Sequence, residues 1–181
     1  MISYLDVLTI LLIFFISAAI RTQEAAGAPI AAPQPARPAA SPLADLQKRL
    51  ADVGLDVHLE PRGVVISIPQ LVLFESGEDR VSGDALPIVE KIAFAIHDLP
   101  NAIILVGHAD AVPIHNRRFH NNWELSAGRG LRLLELLSRE YGIAETRLSV
   151  LSEGANRPAS SNKTDLGRAN NRRVEIVIAG E

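Results

Sequence analysis

Residues 102–110 read AIILVGHAD. Ala102 to Gly107 is a continuous apolar run, the pattern of a buried strand rather than one that alternates between core and solvent. Asp110 follows at its carboxyl end, where α/β folds tend to place ligands. A polar loop, Ala109 to Asn121, leads into a helix from about Asn122 to Tyr141, which Gly142 ends. Strand, loop and long helix in this order predict a sheet with helices packed on it.

The flanking sequence extends the pattern. Leu43, Leu46, Leu50 and Val53 recur at helical spacing before Gly54. Asp56 to Glu60 and Val64 to Ile68 alternate around Pro61-Arg62-Gly63, a hairpin signal. Ser82 to Leu99 reads as a helix capped by Ser82, with Leu86, Val89, Ile92, Ala93 and Ile96 on its apolar face. Downstream, Arg147 to Leu151 reads as a strand and Glu153 to Asn170 as a loop. Arg173 to Ile178 alternates again and closes the fold. The predicted class is an α/β (α+β) sandwich, a mixed sheet with helices on one face.

Composition narrows the function. The chain has 181 residues, 48% apolar and 22% charged, which excludes wholesale disorder. Its 18 basic and 21 acidic side chains leave a formal charge of −3, without the basic excess of a nucleic-acid binder. There is no cysteine, so disulfides, thiol chemistry and Cys-ligated zinc are excluded. No nucleophile–base pair, phosphate loop or metal motif appears, which argues against an enzyme; no cofactor is expected. His108, His115 and His120 are read as surface or supporting histidines rather than metal ligands. Arg168, Arg172 and Arg173 read either as a solvated face or as an attraction for an acidic polymer.

Before the domain the composition changes twice. In Ile2 to Ile20, fifteen of nineteen residues are apolar. As a helix this stretch spans about 28 Å, close to a hydrocarbon core. Residues 1–21 are expected to be a transmembrane anchor helix. The rival is a cleaved signal peptide, with small residues at Ala25 to Ala28. Against it, Asp6 sits where a basic region should be. In Ala28 to Pro42, eleven of fifteen residues are Ala or Pro, a composition for an extended tether and not a core. Residues 22–42 are therefore expected to be a tether, and residues 43–181 the folded domain.

Two constellations carry chemistry. Asp6 lies with Ser3, Thr9, Ile13 and Ser17 on one stripe of the apolar helix. It is either a flank charge in the headgroup zone or an acid whose pKa is raised by desolvation, able to take and release a proton. In the second, Asp110 and Arg129 can face one cleft. A carboxylate accepts from an ammonium and a guanidinium grips a carboxylate, so the pair suits an amino-acid end group. Backbone N–H groups near Asn122 would add anion affinity. The plain alternative is a structural Asp110–Arg129 salt bridge.

Ser3-Tyr4-Leu5-Asp6-Val7-Leu8-Thr9, followed by Leu11-Leu12-Ile13-Phe14-Phe15, resembles the membrane segment of MotB-type flagellar stator proteins. The resemblance implies that Asp6 is the proton- or ion-carrying acid. It also implies a multi-span MotA-type membrane partner and a homodimer in the inner (cytoplasmic) membrane, single-pass, with the C-terminal domain in the periplasm. Residues 64 to 178 resemble the OmpA-like peptidoglycan-binding domain. The landmarks are Val65-Ile66-Ser67-Ile68-Pro69, Leu73-Phe74-Glu75-Ser76-Gly77, Gly107-His108-Ala109-Asp110, Asn122, Leu125-Ser126, Arg129 and Gly167-Arg168-Ala169-Asn170-Asn171-Arg172-Arg173-Val174-Glu175. That resemblance implies a peptidoglycan stem peptide as ligand, its diaminopimelate or equivalent held by Asp110 and Arg129, with Asn122 beside them. Gly128 and Gly130 stand where the family has alanines, at up to about 1 kcal/mol each in a helix. The expected function is an ion-conducting, wall-anchored stator subunit. The alternative is a structural envelope protein that holds the membrane to the wall without ion transport.

Overall fold

The computed structural model describes residues 42–75 and 77–180. The anchor, the tether up to residue 41 and Asp6 lie outside the described residues. Among the described residues, no helix is long and apolar enough to cross a membrane.

The elements are α1 (Pro42–Asp52), β1 (Asp56–Glu60), β2 (Gly63–Pro69), α2 (Gln70–Leu73), α3 (Leu86–Ile96), β3 (Ile103–His108), α4 (Asn122–Arg139), β4 (Leu148–Gly154), α5 (Asp165–Asn171) and β5 (Arg173–Ala179). The sheet order is β1-β2-β5-β3-β4. Pairing is antiparallel except for β3 with β4, whose parallel run requires the crossover through α4. The last strand is thus inserted between two earlier ones. Its residues Val174 to Ile178 are all buried, because neighbours flank both edges and side chains cover both faces.

One apolar cluster joins the helices to one face of the sheet. It takes Leu46 and Leu50 from α1, Val89, Ile92, Ala93 and Ile96 from α3, and Leu133 and Leu137 from α4. The sheet contributes Ile66, Ile68, Ile103, Leu105, Ile176 and Ile178, among others. Each fully buried Leu or Ile adds roughly 1.5–3 kcal/mol. Val65, Val106 and Val177 form a smaller cluster on the opposite face.

Three sequence expectations change. The helix predicted from Ser82 to Leu99 is shorter. Ser82 caps a 3-10 turn, Gly83–Ala85, by accepting from the Asp84 N–H, and α3 starts at Leu86. Leu86 is exposed at 43%, and fully buried Ala85 packs in the core instead. At the other end, Arg147 donates to the carbonyls of Ile96, His97 and Asn101 at 3.0–3.1 Å. Those bonds satisfy end carbonyls that a longer helix would have used itself. Arg147 lies in a 3-10 turn, so β4 begins at Leu148. The predicted loop at 153–170 contains the start of α5, capped by Thr164 accepting from the Gly167 N–H at 3.1 Å.

Gly128 and Gly130 are not defects in α4. A Cβ on Gly128 would lie 2.9 Å from the Phe119 ring, and one on Gly130 would lie 2.5 Å from Val150 Cγ1. Small residues let the helix press onto β4 and onto the loop before it. Gly130→Ala is expected to lower stability by about 1–2 kcal/mol, because overpacking outweighs a propensity gain of about 1 kcal/mol. Thermal unfolding of the purified protein checks the sign; a higher midpoint would mean that Val150 yields freely.

Candidate functional site

The end of β3 builds one wall. The Ala109 N–H donates to the Gly154 carbonyl at 2.7 Å, which carries Asp110 past the sheet edge. Asp110 is 7% exposed. One oxygen accepts from the Val112 N–H at 3.0 Å, a local turn bond; the other accepts from Arg172 Nη1 at 2.6 Å.

Asn122 holds the loop in place. Its Nδ2 donates to the carbonyls of Asp110 and Val112 at 3.0 and 2.9 Å, and its Oδ1 accepts from the Ile114 N–H at 3.2 Å. Its side-chain amide is thus spent on the backbone of 110–114. The preceding residue caps the helix: Asn121 Oδ1 accepts from the Glu124 N–H at 2.9 Å. The Glu124 carboxylate accepts from the His120 N–H, which lowers its pKa, helped by the His120 ring.

Arg129 enters from the second turn of α4 and is 2% exposed. Its Nη1 donates to Gln70 Oε1 at 2.6 Å and its Nε to the Glu78 carbonyl at 2.9 Å. Its guanidinium lies 5.5 Å from the Phe74 ring centre. Its Nη2 is buried and has no hydrogen-bond partner among the described residues. Burial pushes the guanidinium down to about 10, nearby Asp79 opposes this, and Arg172 pushes it the same way. It stays charged at neutral pH.

Asp110, Asn122 and Arg129 therefore line one cleft, of about 300 Å³, with Gln70, Ile114 and Arg172. The Asp110–Arg129 ion pair of the plain alternative does not form: Asp110 pairs with Arg172. Sequence reasoning missed Arg172 and Gln70 as cleft residues. The Gln70 N–H donates to the Arg172 carbonyl at 2.8 Å, tying the two together. No periodic signal in the sequence links Arg172 to Asp110, which lies 62 residues earlier. The arginine trio is not a solvated face either. Arg173 pairs with buried Glu175, and Arg168 donates to the Asn162 carbonyl and pairs with Asp165.

A larger open depression, about 630 Å³, lies along β1, β2 and β5. Its charged side chains pair with one another, except Arg157, which pairs with Glu153. Glu175 accepts from Arg62 at 2.7 Å and Arg173 at 2.8 Å, and lies 3.4 Å from the ring of buried His108. Burial alone would raise the Glu175 carboxyl, but His108, Arg62 and Arg173 together hold it well below its ordinary 4.5. A depressed folded-state pKa stabilises above the unfolded value and loses that stability as pH falls. The wild-type protein is therefore expected to lose on the order of 2 kcal/mol from this group as pH falls from about 5 toward the acid limit. Denaturant melts of wild type and Glu175→Gln across pH 3–6 check this; equal slopes would refute it. His115 and His120 are exposed, ring centres 5.8 Å apart.

Comparison with known proteins agrees with this architecture. Residues 73–172 match the OmpA family, a span that includes Asp110, Asn122, Arg129 and Arg172. The chain is 33% identical over 138 residues to Motility protein B of Bacillus subtilis (strain 168), covering 74% of this chain and 53% of that protein. The periplasmic domain of Helicobacter pylori MotB superposes with a TM-score of 0.65 at 30% identity, covering 71% of this chain and 83% of that one. The cell wall anchor of the T6SS from Pseudomonas aeruginosa superposes with a TM-score of 0.68 at 29% identity, covering 77% and 97%. The chain spans about half the length of the curated relatives it matches. With this sheet order, this cleft and these relatives, the chain belongs to the OmpA family as a MotB-type member.

Proposed function

We propose that the chain is a wall-anchored stator subunit of the flagellar motor. The cleft takes the diaminopimelate end of a peptidoglycan stem peptide. Asp110 accepts from its ammonium, Arg129 donates to its carboxylate, and Asn122 holds the loop that shapes the cleft. The single observation that carries this reading is the buried Arg129 Nη2 with no partner, in a cleft that also holds buried Asp110. A buried donor of this kind is costly to leave unmade, and an incoming carboxylate oxygen supplies what it lacks.

In the same proposal, Ile2 to Ile20 anchors the chain in the inner membrane, single-pass, and residues 22–42 bridge to the domain in the periplasm. Asp6 takes and releases the transported proton beside a MotA-type partner, in a homodimer. A single helix cannot enclose a pathway, so a multi-span partner is required. Wall attachment gives the motor's force a fixed reference.

The full chain is expected to sediment with purified peptidoglycan, and millimolar free diaminopimelate is expected to release it. Failure to sediment overturns wall anchoring. A second reading, a purely structural wall anchor, is favoured by the likeness to the T6SS cell wall anchor, which extends over 97% of that chain. The two readings part at Asp6.

A further inference from the structure

We propose that Arg172 makes the cleft selective for an amino-acid end group with a free carboxylate, and that the same end blocked as an amide is refused. The proposal rests on the wall-binding reading of this cleft and adds to it the residue that discriminates acid from amide.

Among the described residues lining the cleft, the charged ones are Asp110, Arg129 and Arg172. The cleft thus holds two guanidinium groups and one carboxylate, and that carboxylate pairs with Arg172. Asp79, which attracts Arg129, is already held by Arg118 at 2.9 Å and Arg132 at 3.3 Å. The Arg172 backbone is pinned. Its N–H donates to the Arg168 carbonyl at 3.0 Å and its carbonyl accepts from Gln70. Its side chain, 32% exposed, hydrogen-bonds Asp110.

A ligand ammonium that binds Asp110 must share that carboxylate with Arg172 or displace it. Either way, positive charge accumulates: the ammonium, a half-buried guanidinium that has lost part of its partner, and Arg129 with its buried free N–H. A free carboxylate beside the ammonium answers both guanidinium groups with two acceptor oxygens and a negative charge. A carboxamide offers one acceptor, and its NH2 confronts guanidinium N–H groups. Unpaired donors and uncompensated charge then act against the amide, so refusal is built by repulsion as much as by attraction. Arg172 keeps Asp110 from standing as an unpaired buried charge.

Calorimetric titration of the full chain in detergent tests this with two probes. One is a stem-peptide fragment ending in diaminopimelate with a free carboxylate beside its free amine; the other is the same fragment with that carboxylate converted to the amide. Wild type is expected to bind the acid at least ten-fold more tightly than the amide. Arg172→Gln is expected to compress the ratio below about three-fold, mainly by weakening the acid, and Arg172→Lys to restore part of it. Equal binding of acid and amide by wild type overturns the selectivity while leaving wall binding intact, and needs no variant to fold. A ten-fold ratio that survives in Arg172→Gln removes Arg172 from the explanation. Binding of neither probe overturns the wall-binding reading and the selectivity with it.

Discussion

Asp110→Asn is expected to cut retention of the protein on purified peptidoglycan at least ten-fold while leaving it folded. The amide is nearly isosteric, and its oxygen can still accept from the Val112 N–H. What disappears is the charge that answers a ligand ammonium, and a charge-assisted bond contributes more than its neutral counterpart. Arg172 loses its ion-pair partner, but it is half-buried and reaches water, so the cost to folding is about 1 kcal/mol. Binding and stability therefore separate in this variant. The measurement is cosedimentation with purified wall alongside a thermal melt. Wild-type retention by a folded Asn variant would place the wall contact elsewhere. Removing Arg129 is a less clean test, because its guanidinium also joins Gln70 to the Glu78 carbonyl.

Asp6→Asn is expected to abolish motility without removing the protein from the membrane, an all-or-none effect. The two side chains are close in size, but an amide cannot cycle a proton near neutral pH. Loss of the carboxylate also removes a desolvation penalty, so insertion becomes easier if anything. Asp6→Glu keeps a titratable group displaced by one methylene and is expected to retain partial function. Swimming and ion flux are measured with the partner co-expressed and membrane levels matched. Full motility of the Asn variant would eliminate the stator reading and leave a structural anchor.

Elements with a strong local period were legible in advance. β3 announced itself as an unbroken apolar run, the β1–β2 hairpin as two alternating runs around a turn, and α4 as a long stretch ended by Gly142. α2 and α5 were not legible. Four and seven residues are too few for a period, and α5 contains Gly167. That glycine is needed where the helix start presses against the Ser161 carbonyl, a contact invisible in sequence. Gly128 and Gly130 were misread for the same reason: helix propensity counts a glycine as a loss, whereas packing against Phe119 and Val150 requires it.

By itself the sequence determined the layers, the position of Asp110 at a strand end and the place of Arg129 on the helix that follows. Each depends on backbone periodicity and on residues close in the chain. Only the tertiary structure decided who pairs with whom. β5 lies between β2 and β3, where neighbours on both edges bury every residue from Val174 to Ile178, Glu175 included. That insertion carries Arg172, one residue before β5, to Asp110, and carries its carbonyl to Gln70, one residue after β2. The plain alternative, an Asp110–Arg129 salt bridge, gave way to Asp110–Arg172, and among the described residues one buried donor of Arg129 is left free. A pairing of this kind is set by where distant strands meet, and no short-range pattern encodes it.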